Sequence, residues 1–360
     1  MTTPSTAGTA LDLGSDIVDL TAALVDMESV SGNEKTITDA IEASLSQVPW
    51  LQLWRHSHSL VARTALGRPE RVVIAGHVDT VPVNANLPSR RDGDRLYGLG
   101  SCDMKGGVAV GLTLASRLDA PNRDVTYVFY EAEEVEAEKN GLTHISAVNP
   151  EILVADFAVL MEPSNGVVEA GCQGTLRVDV STRGQRAHSA RSWNGINAIH
   201  AAEEVLARLA AYVPREPVID GLRYHEGLNA VAIAGGVAGN VIPDACTVSV
   251  NYRFAPDRNV EEATAHMHEV FDGFAVEVGD SAPGALPGLD RAAASAFVSA
   301  VGGTPNPKFG WTDVSRFSAL GVPAVNFGPG NPELAHTQGE YVLVEQLRSC
   351  LSSMTSWLAG

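Results

Sequence analysis

In Arg71-Val72-Val73-Ile74-Ala75-Gly76-His77-Val78-Asp79, a run of β-branched and small apolar residues leads without interruption into a histidine and an aspartate. A strand with one face in water alternates apolar and polar side chains. An unbroken apolar run instead predicts a strand buried on both faces, as in a parallel sheet covered by helices. Val125 to Tyr130, Phe157 to Met161 and Val322 to Phe327 read the same way. Between the first two runs, Lys105-Gly106-Gly107 opens an apolar stretch of helical spacing that continues to Leu118. A shorter helical stretch around Leu142–Val148 separates the second and third. This alternation predicts an α/β fold: a mixed, mainly parallel sheet flanked by helices. Upstream, Ile17, Leu20 and Leu24 give 16–27 a helical spacing. Glu34 to Leu45 repeats it behind Ser31-Gly32-Asn33, which is expected to cap the helix. Residues 1–10, rich in Thr, Ser and Ala, are expected to fray.

From about 175 to 284 the pattern changes. Strand Leu176–Ser181, helix Asn194–Ala211, strands Asn229–Ala234 and Cys246–Phe254, helix Val260–Phe271 and strand Phe274–Val278 follow in the order β-α-β-β-α-β. That order predicts a ferredoxin-like α+β domain inserted into the larger one. The expected organisation is therefore 1–174 and 285–360 as two parts of one domain, with 175–284 between them.

Composition limits the function. The 360 residues are 45% apolar and 19% charged, which suits buried cores and argues against a disordered chain. No apolar run approaches the roughly 18 residues of a membrane span. The opening MTTPSTAGTALDLGSD lacks a basic region followed by an apolar core, so no secretory leader is expected. The cysteines at 102, 172, 246 and 350 are widely spaced and form no disulfide framework, which points to a cytoplasmic protein. With 25 basic and 43 acidic residues the net charge is −18. Such a surface repels phosphate backbones and anionic membranes, so neither nucleic acid nor membrane is an expected partner.

The chemistry gathers where the large-domain strands end. The first ends at His77-Val78-Asp79, the second runs into Glu131-Ala132-Glu133-Glu134, and the third ends at Glu162-Pro163. The fourth leads to Ala335-His336-Thr337, and Asp103 stands just before the helix that begins near Lys105. In open α/β sheets ligands bind outside the carboxyl ends of the strands. One carboxylate at a strand end is ordinarily a solvated loop residue, and one histidine there is seldom a ligand. A set of them at successive strand ends is different, and two histidines with several carboxylates suffice for more than one divalent metal. Mixed imidazole and carboxylate donors suit zinc best, with cobalt or manganese as substitutes. A two-metal site also needs a base that is not a ligand, and the Glu133-Glu134 pair can supply one ligand and one base.

These segments, GHVDTVP (76–82), GSCDMKGG (100–107), EAEEV (131–135), LMEPS (160–164) and AHT (335–337), resemble the co-catalytic zinc amidohydrolases of the M20 peptidase family, in family order. The resemblance implies two zinc ions, with Asp103 bridging, His77 and Glu162 completing one, and Glu134 and His336 the other. It implies Glu133 as general base and Asp79 as the residue orienting His77 through its ring N–H. Lys105 is read as structural, with Gly106 and Gly107 letting the helix start approach the metals closely. Many relatives carry Gly where this chain has Val135. In Gly184-Gln185-Arg186-Ala187-His188-Ser189 the chain resembles the family's dimerisation motif. This implies a homodimer through the inserted domain, in which His188 stabilises an oxyanion in the partner's site. Asn240 and Arg253 match substrate-binding positions, and Arg253 suits a carboxylate.

Within the family, EAGCQG (169–174), RAHSARSW (186–193) and KFGWTDVSRF (308–317) resemble the succinyl-diaminopimelate desuccinylases, although some of those carry Arg where Gln173 stands. That resemblance places Gly310 and Thr312 in the substrate pocket and implies an anionic amide substrate, N-succinyl-L,L-2,6-diaminopimelate, in lysine and cell-wall precursor synthesis. The carboxylates of Asp103, Glu133, Glu134 and Glu162 would offset the charge of two dications, leaving Arg253 to favour a succinyl carboxylate. The alternatives are another M20 activity, such as an acetylornithine deacetylase, an aminoacylase or a zinc di- or carboxypeptidase, and a catalytically inactive scaffold. His56, His58, His200, His266 and His268 are read as ordinary polar residues, and Cys102 as a packed side chain.

Overall fold

The computed structural model describes residues 10–360; the expectations for residues 1–9 lie outside the described residues. The chain divides into two compact units. One comprises the residues up to Ala170 with Gly288–Asn306 and Arg316–Gly360; the other comprises Gly171–Pro287 with Pro307–Ser315.

The first unit is built on a mixed sheet whose parallel centre is the part the sequence makes plain. Strand Arg71–His77 lies between Asp124–Tyr130 and Phe157–Leu160, parallel to both, and Ala324–Asn326 runs parallel to Phe157–Leu160 on the far side. Antiparallel strands Ser59–Arg63 and Gln52–His56 extend one edge, and the short strand Glu169–Ala170 pairs antiparallel beyond Ala324–Asn326. Asp124–Tyr130 and Phe157–Leu160 are buried along their whole length, as strands covered on both faces must be. Each fully buried Val, Leu or Phe there contributes about 1.5–3 kcal/mol. Helix Lys105–Arg117 packs on Arg71–His77 and against helices Ile17–Val25 and Val344–Ala359. Ile17–Val25 is capped by the Asp16 side chain accepting from the Val18 N–H.

Helix Lys35–Leu45 differs at its start from the sequence reading. Its N-cap is Glu34 and no side chain caps it. The Ser31 hydroxyl has another task, described below.

The second unit is a four-stranded antiparallel sheet in the order Gly227–Gly235, Ala245–Phe254, Gly174–Arg183, Ala275–Ala282. Helices Ala198–Ala211 and Val260–Val270 join the strands in the β-α-β-β-α-β order. Alternate residues Leu176, Val178 and Val180, with Val248, Val250 and Tyr252, point to one face. There they pack with Ala202, Val205, Ala263, Met267 and Phe271 from the helices. Asn259 and Glu262 form a reciprocal capping box at the second helix. The segment 307–315 belongs to this unit, although the sequence reading drew the boundary at 284.

Candidate active site

Strand geometry brings His77 and Asp79 to the carboxyl end of the parallel sheet, and both side chains are buried. His77 Nδ1 lies 3.1 Å from the Asp79 backbone carbonyl and 3.4 Å from its carboxylate. Oxygens of these kinds only accept, so Nδ1 carries a proton, and a neutral ring then presents the Nε2 lone pair to the site. The Asp79 carboxylate reaches further. Oδ1 accepts the Glu133 N–H at 3.0 Å, and Oδ2 accepts the Glu134 N–H at 3.1 Å and the Ser31 hydroxyl at 2.7 Å.

The Glu131–Glu134 segment turns sharply at Ala132, whose φ of +59° is uncommon for a residue with a Cβ. The turn sends neighbouring carboxylates different ways. Glu131 accepts from the His58 N–H and the Ser57 hydroxyl, while Glu133 and Glu134 face the metal donors. His336 also has a positive φ, +63°. Such positions cost of order 1–3 kcal/mol and persist where the surroundings hold them.

Asp103 occupies the turn before helix Lys105–Arg117. Its Oδ1 is 3.3 Å from His77 Nε2 and its Oδ2 is 3.4 Å from His336 Nε2, so each carboxylate oxygen faces a different histidine. His336 Nε2 is also 2.9 Å from Glu134 Oε1. One donor atom from each of His77, Asp103 and Glu162 lies within 4.8 Å of the others, and so does one from each of Asp103, Glu134 and His336. His77, Glu133 and Glu134 form a third such group. Gly107 allows the helix carrying this turn to press on Met161, between strand Phe157–Leu160 and Glu162. A Cβ there would lie 2.1 Å from the Met161 carbonyl oxygen. Its close approach is thus to the neighbouring strand end. Lys105 is buried and donates to the Met27 carbonyl at 2.7 Å, and burial pulls its pKa down to about 8.

The donor set fits two divalent ions. Ligand atoms about 2.0–2.1 Å from one tetrahedral metal lie about 3.3 Å from each other, close to the 3.3 and 3.4 Å separations of Asp103 from the two imidazoles. Mixed nitrogen and oxygen donors suit zinc, cobalt or manganese. Electrostatics agrees. Hydrogen bonds donated to Asp103 and then to Glu134 push His336 up to about 10. Burial opposes charge on His77, yet Asp103 and Asp79 hold its pKa well above the ordinary value. The field that keeps protons on these rings is one that attracts cations.

The remaining residues singled out from the sequence lie in the second unit. His188 pairs with Val241 across a short antiparallel ladder, and the Ser189 N–H donates to the Asn240 carbonyl at 2.9 Å, which brings His188 and Asn240 together. His188 Nδ1 accepts the Ala190 N–H at 3.0 Å, so the neutral ring carries its proton on Nε2. Arg253 lies exposed on strand Ala245–Phe254 with Nε donating to Asn251. Gly310 and Thr312 share the 307–315 segment, where the Thr312 side chain is buried and its carbonyl faces the Cys172 thiol. Sequence reasoning missed Ser31, read only as a cap, and Glu340, a buried carboxylate that accepts from Cys102 and Asp103 N–H groups. A serine or glutamate in a loop carries no signal of such long-range bonds.

The model of Peptidase family M20/M25/M40 matches residues 73–359. A Mycobacterium tuberculosis protein named putative succinyl-diaminopimelate desuccinylase DapE is 54% identical over 353 residues, covering 97% of this chain and 100% of the relative. The Corynebacterium glutamicum succinyl-diaminopimelate desuccinylase is 47% identical, covering 97% and 98%. Among solved structures, the aminopeptidase PepT of Bacillus cereus superposes with a TM-score of 0.79 at 18% identity, covering 97% and 98%, and so shares the fold. On this evidence the chain belongs to peptidase family M20/M25/M40.

Proposed function

We propose that the protein is a metal-dependent amidohydrolase that cleaves N-succinyl-L,L-2,6-diaminopimelate to succinate and L,L-2,6-diaminopimelate. The observation that carries this reading is 54% and 47% identity, over nearly the whole chain, to proteins bearing that name. The donor set described above supports it. His77 and Glu162 would hold one ion, Glu134 and His336 the other, and Asp103 both. Zinc is the metal proposed, with cobalt or manganese as substitutes. Bound there, a pair of dications supplies Lewis-acid polarisation of the amide carbonyl and acidifies water.

The chain's own residues do the rest. Glu133, its backbone fixed by Asp79, takes a proton from the water that attacks the amide carbon. As the C–N bond breaks, Glu133 returns that proton to the leaving nitrogen, which departs as the amine. His188 offers its Nε2–H to the oxygen on which negative charge develops. Arg253 pairs with a substrate carboxylate, and Asn240, Gly310 and Thr312 complete the contacts to substrate.

A homodimer through the second unit is part of this reading. Strand Gly227–Gly235 is a sheet edge with exposed Val231 and Ile233, and Ile199 and Leu206 are exposed on helix Ala198–Ala211. An open apolar edge of this kind favours pairing with another strand. A cytoplasmic location fits four buried cysteines without disulfides, and among the described residues no helix is long and apolar enough to cross a membrane.

The test is amine release from N-succinyl-L,L-diaminopimelate, N-acetylornithine and a dipeptide by zinc-loaded protein, with a chelator control. Chelator-sensitive cleavage of the succinyl compound alone is expected. Preference for either other compound would overturn the substrate, and a fully active monomer would overturn the role of His188 in a partner's site.

A further inference from the structure

We infer that Glu340 is a positioning residue for the metal pair, holding the backbone of Asp103 and tying it to the segment that carries His336. The inference rests on the metal-site reading above. Glu340 is 1% exposed, and its Oε1 accepts two consecutive N–H groups, Cys102 at 2.9 Å and Asp103 at 3.2 Å. Its backbone is tied as firmly as its side chain. The Glu340 N–H donates to the Thr337 carbonyl at 3.2 Å, and its own carbonyl accepts the Gly98 N–H at 3.1 Å.

The loop from Gly98 to Asp103 is thereby fastened at several points to the residues just after His336. These loops carry the carboxylate whose two oxygens face the two histidines, and one of those histidines. Two consecutive N–H groups converging on one oxygen call for an acceptor there, and a carboxylate oxygen is one. Glu340 belongs to none of the metal-ligand groupings among the described residues. Its action on a metal therefore passes through the position of Asp103. Outer partners of metal ligands are worth roughly 10–100-fold in affinity.

The test is metal affinity, measured by competition with a chromophoric chelator for zinc, in wild type, Glu340→Ala and Glu340→Gln, alongside circular dichroism and kcat and KM. The expected result is a folded Glu340→Ala with affinity roughly 10–100-fold weaker, lower kcat at saturating zinc and KM little changed. Glu340→Gln, which keeps Oε1 as an acceptor, falls between the two. A folded Glu340→Ala with affinity within about threefold of wild type, below the range for such partners, overturns the inference. Should that variant fail to fold, Glu340→Asp, with the carboxylate one methylene short, is judged by the same criterion. The wild-type titration separates the two claims. Zinc uptake by wild type with an unchanged variant sinks the Glu340 role alone, whereas no uptake by wild type sinks the metal site and that role together.

Discussion

Asp79 Oδ1 accepts the backbone N–H of Glu133 at 3.0 Å, so the residue that orients His77 also fixes the residue proposed as the base. Its second oxygen holds the next residue, Glu134, together with the Ser31 hydroxyl. One buried carboxylate thus sets the register between His77 at one strand end and the Glu133-Glu134 pair beyond the next. Asp79→Asn keeps the shape but offers one acceptor oxygen in place of two. It should weaken metal affinity about 10–100-fold and lower kcat. Chelator competition and steady-state kinetics on the same preparation check this, and wild-type affinity in the variant would show that Asp79 is dispensable.

Metal uptake should release protons. Without a metal, His336 keeps its proton up to a pH of about 10, because Asp103 and Glu134 stabilise the charged ring, and His77 is raised as well. An imidazole must be neutral to ligate, so protons and metal compete. Affinity should therefore fall as the pH falls through the neutral range, by up to about tenfold per unit for each proton displaced. Titrating the metal into weakly buffered protein at neutral pH should acidify the solution, and an unchanged pH would contradict the proposed ligands.

The second unit carries its own acid-sensitive feature. The buried Glu226 carboxylate accepts from Arg215 at 2.8 Å, the Tyr252 hydroxyl at 2.9 Å and the Ala255 N–H at 3.0 Å. Burial raises its pKa, but these partners win and hold it below the ordinary 4.5. A carboxylate depressed on folding contributes stability that is full above its unfolded pKa and is lost as pH falls through its folded pKa. Glu226→Gln should cost about 1–3 kcal/mol at neutral pH, with Arg215 partly exposed and partly screened. The cost should shrink in acid below 4.5. Denaturant unfolding at neutral and acid pH measures both, and a cost independent of pH would remove Glu226 from the account.

What was legible in the sequence follows from what each signal depends on. Val72 to Ala75 declares a doubly buried strand by composition alone, and His77, Glu162 and the Glu133-Glu134 pair are visible because they stand where such strands stop. The antiparallel extension formed by Gln52–His56 and Ser59–Arg63 is not so marked, since Gln52, Arg55, His56 and Ser59 break the apolar pattern. Ser31 and Glu340 were hidden for another reason. Their partners, Asp79 and the 102–103 backbone, are 48 and 238 residues away in the chain, and only the folded structure brings them together. The local pattern of Ser31-Gly32-Asn33 predicts a cap, and a tertiary hydrogen bond to Asp79 takes the Ser31 hydroxyl instead. In the same way, spacing along the chain does not reveal that the segment with Gly310 and Thr312 packs with the second unit.

The measurement that bears most directly on the central claim is turnover of Glu133→Gln, with metal content determined on the same zinc-loaded sample. In the proposed mechanism Glu133 moves the proton and Asp103, Glu134, Glu162, His77 and His336 hold the metals. The variant should therefore keep wild-type metal content and lose at least about 100-fold in kcat. Turnover within about tenfold of wild type, well short of what removal of a general base costs, would contradict it.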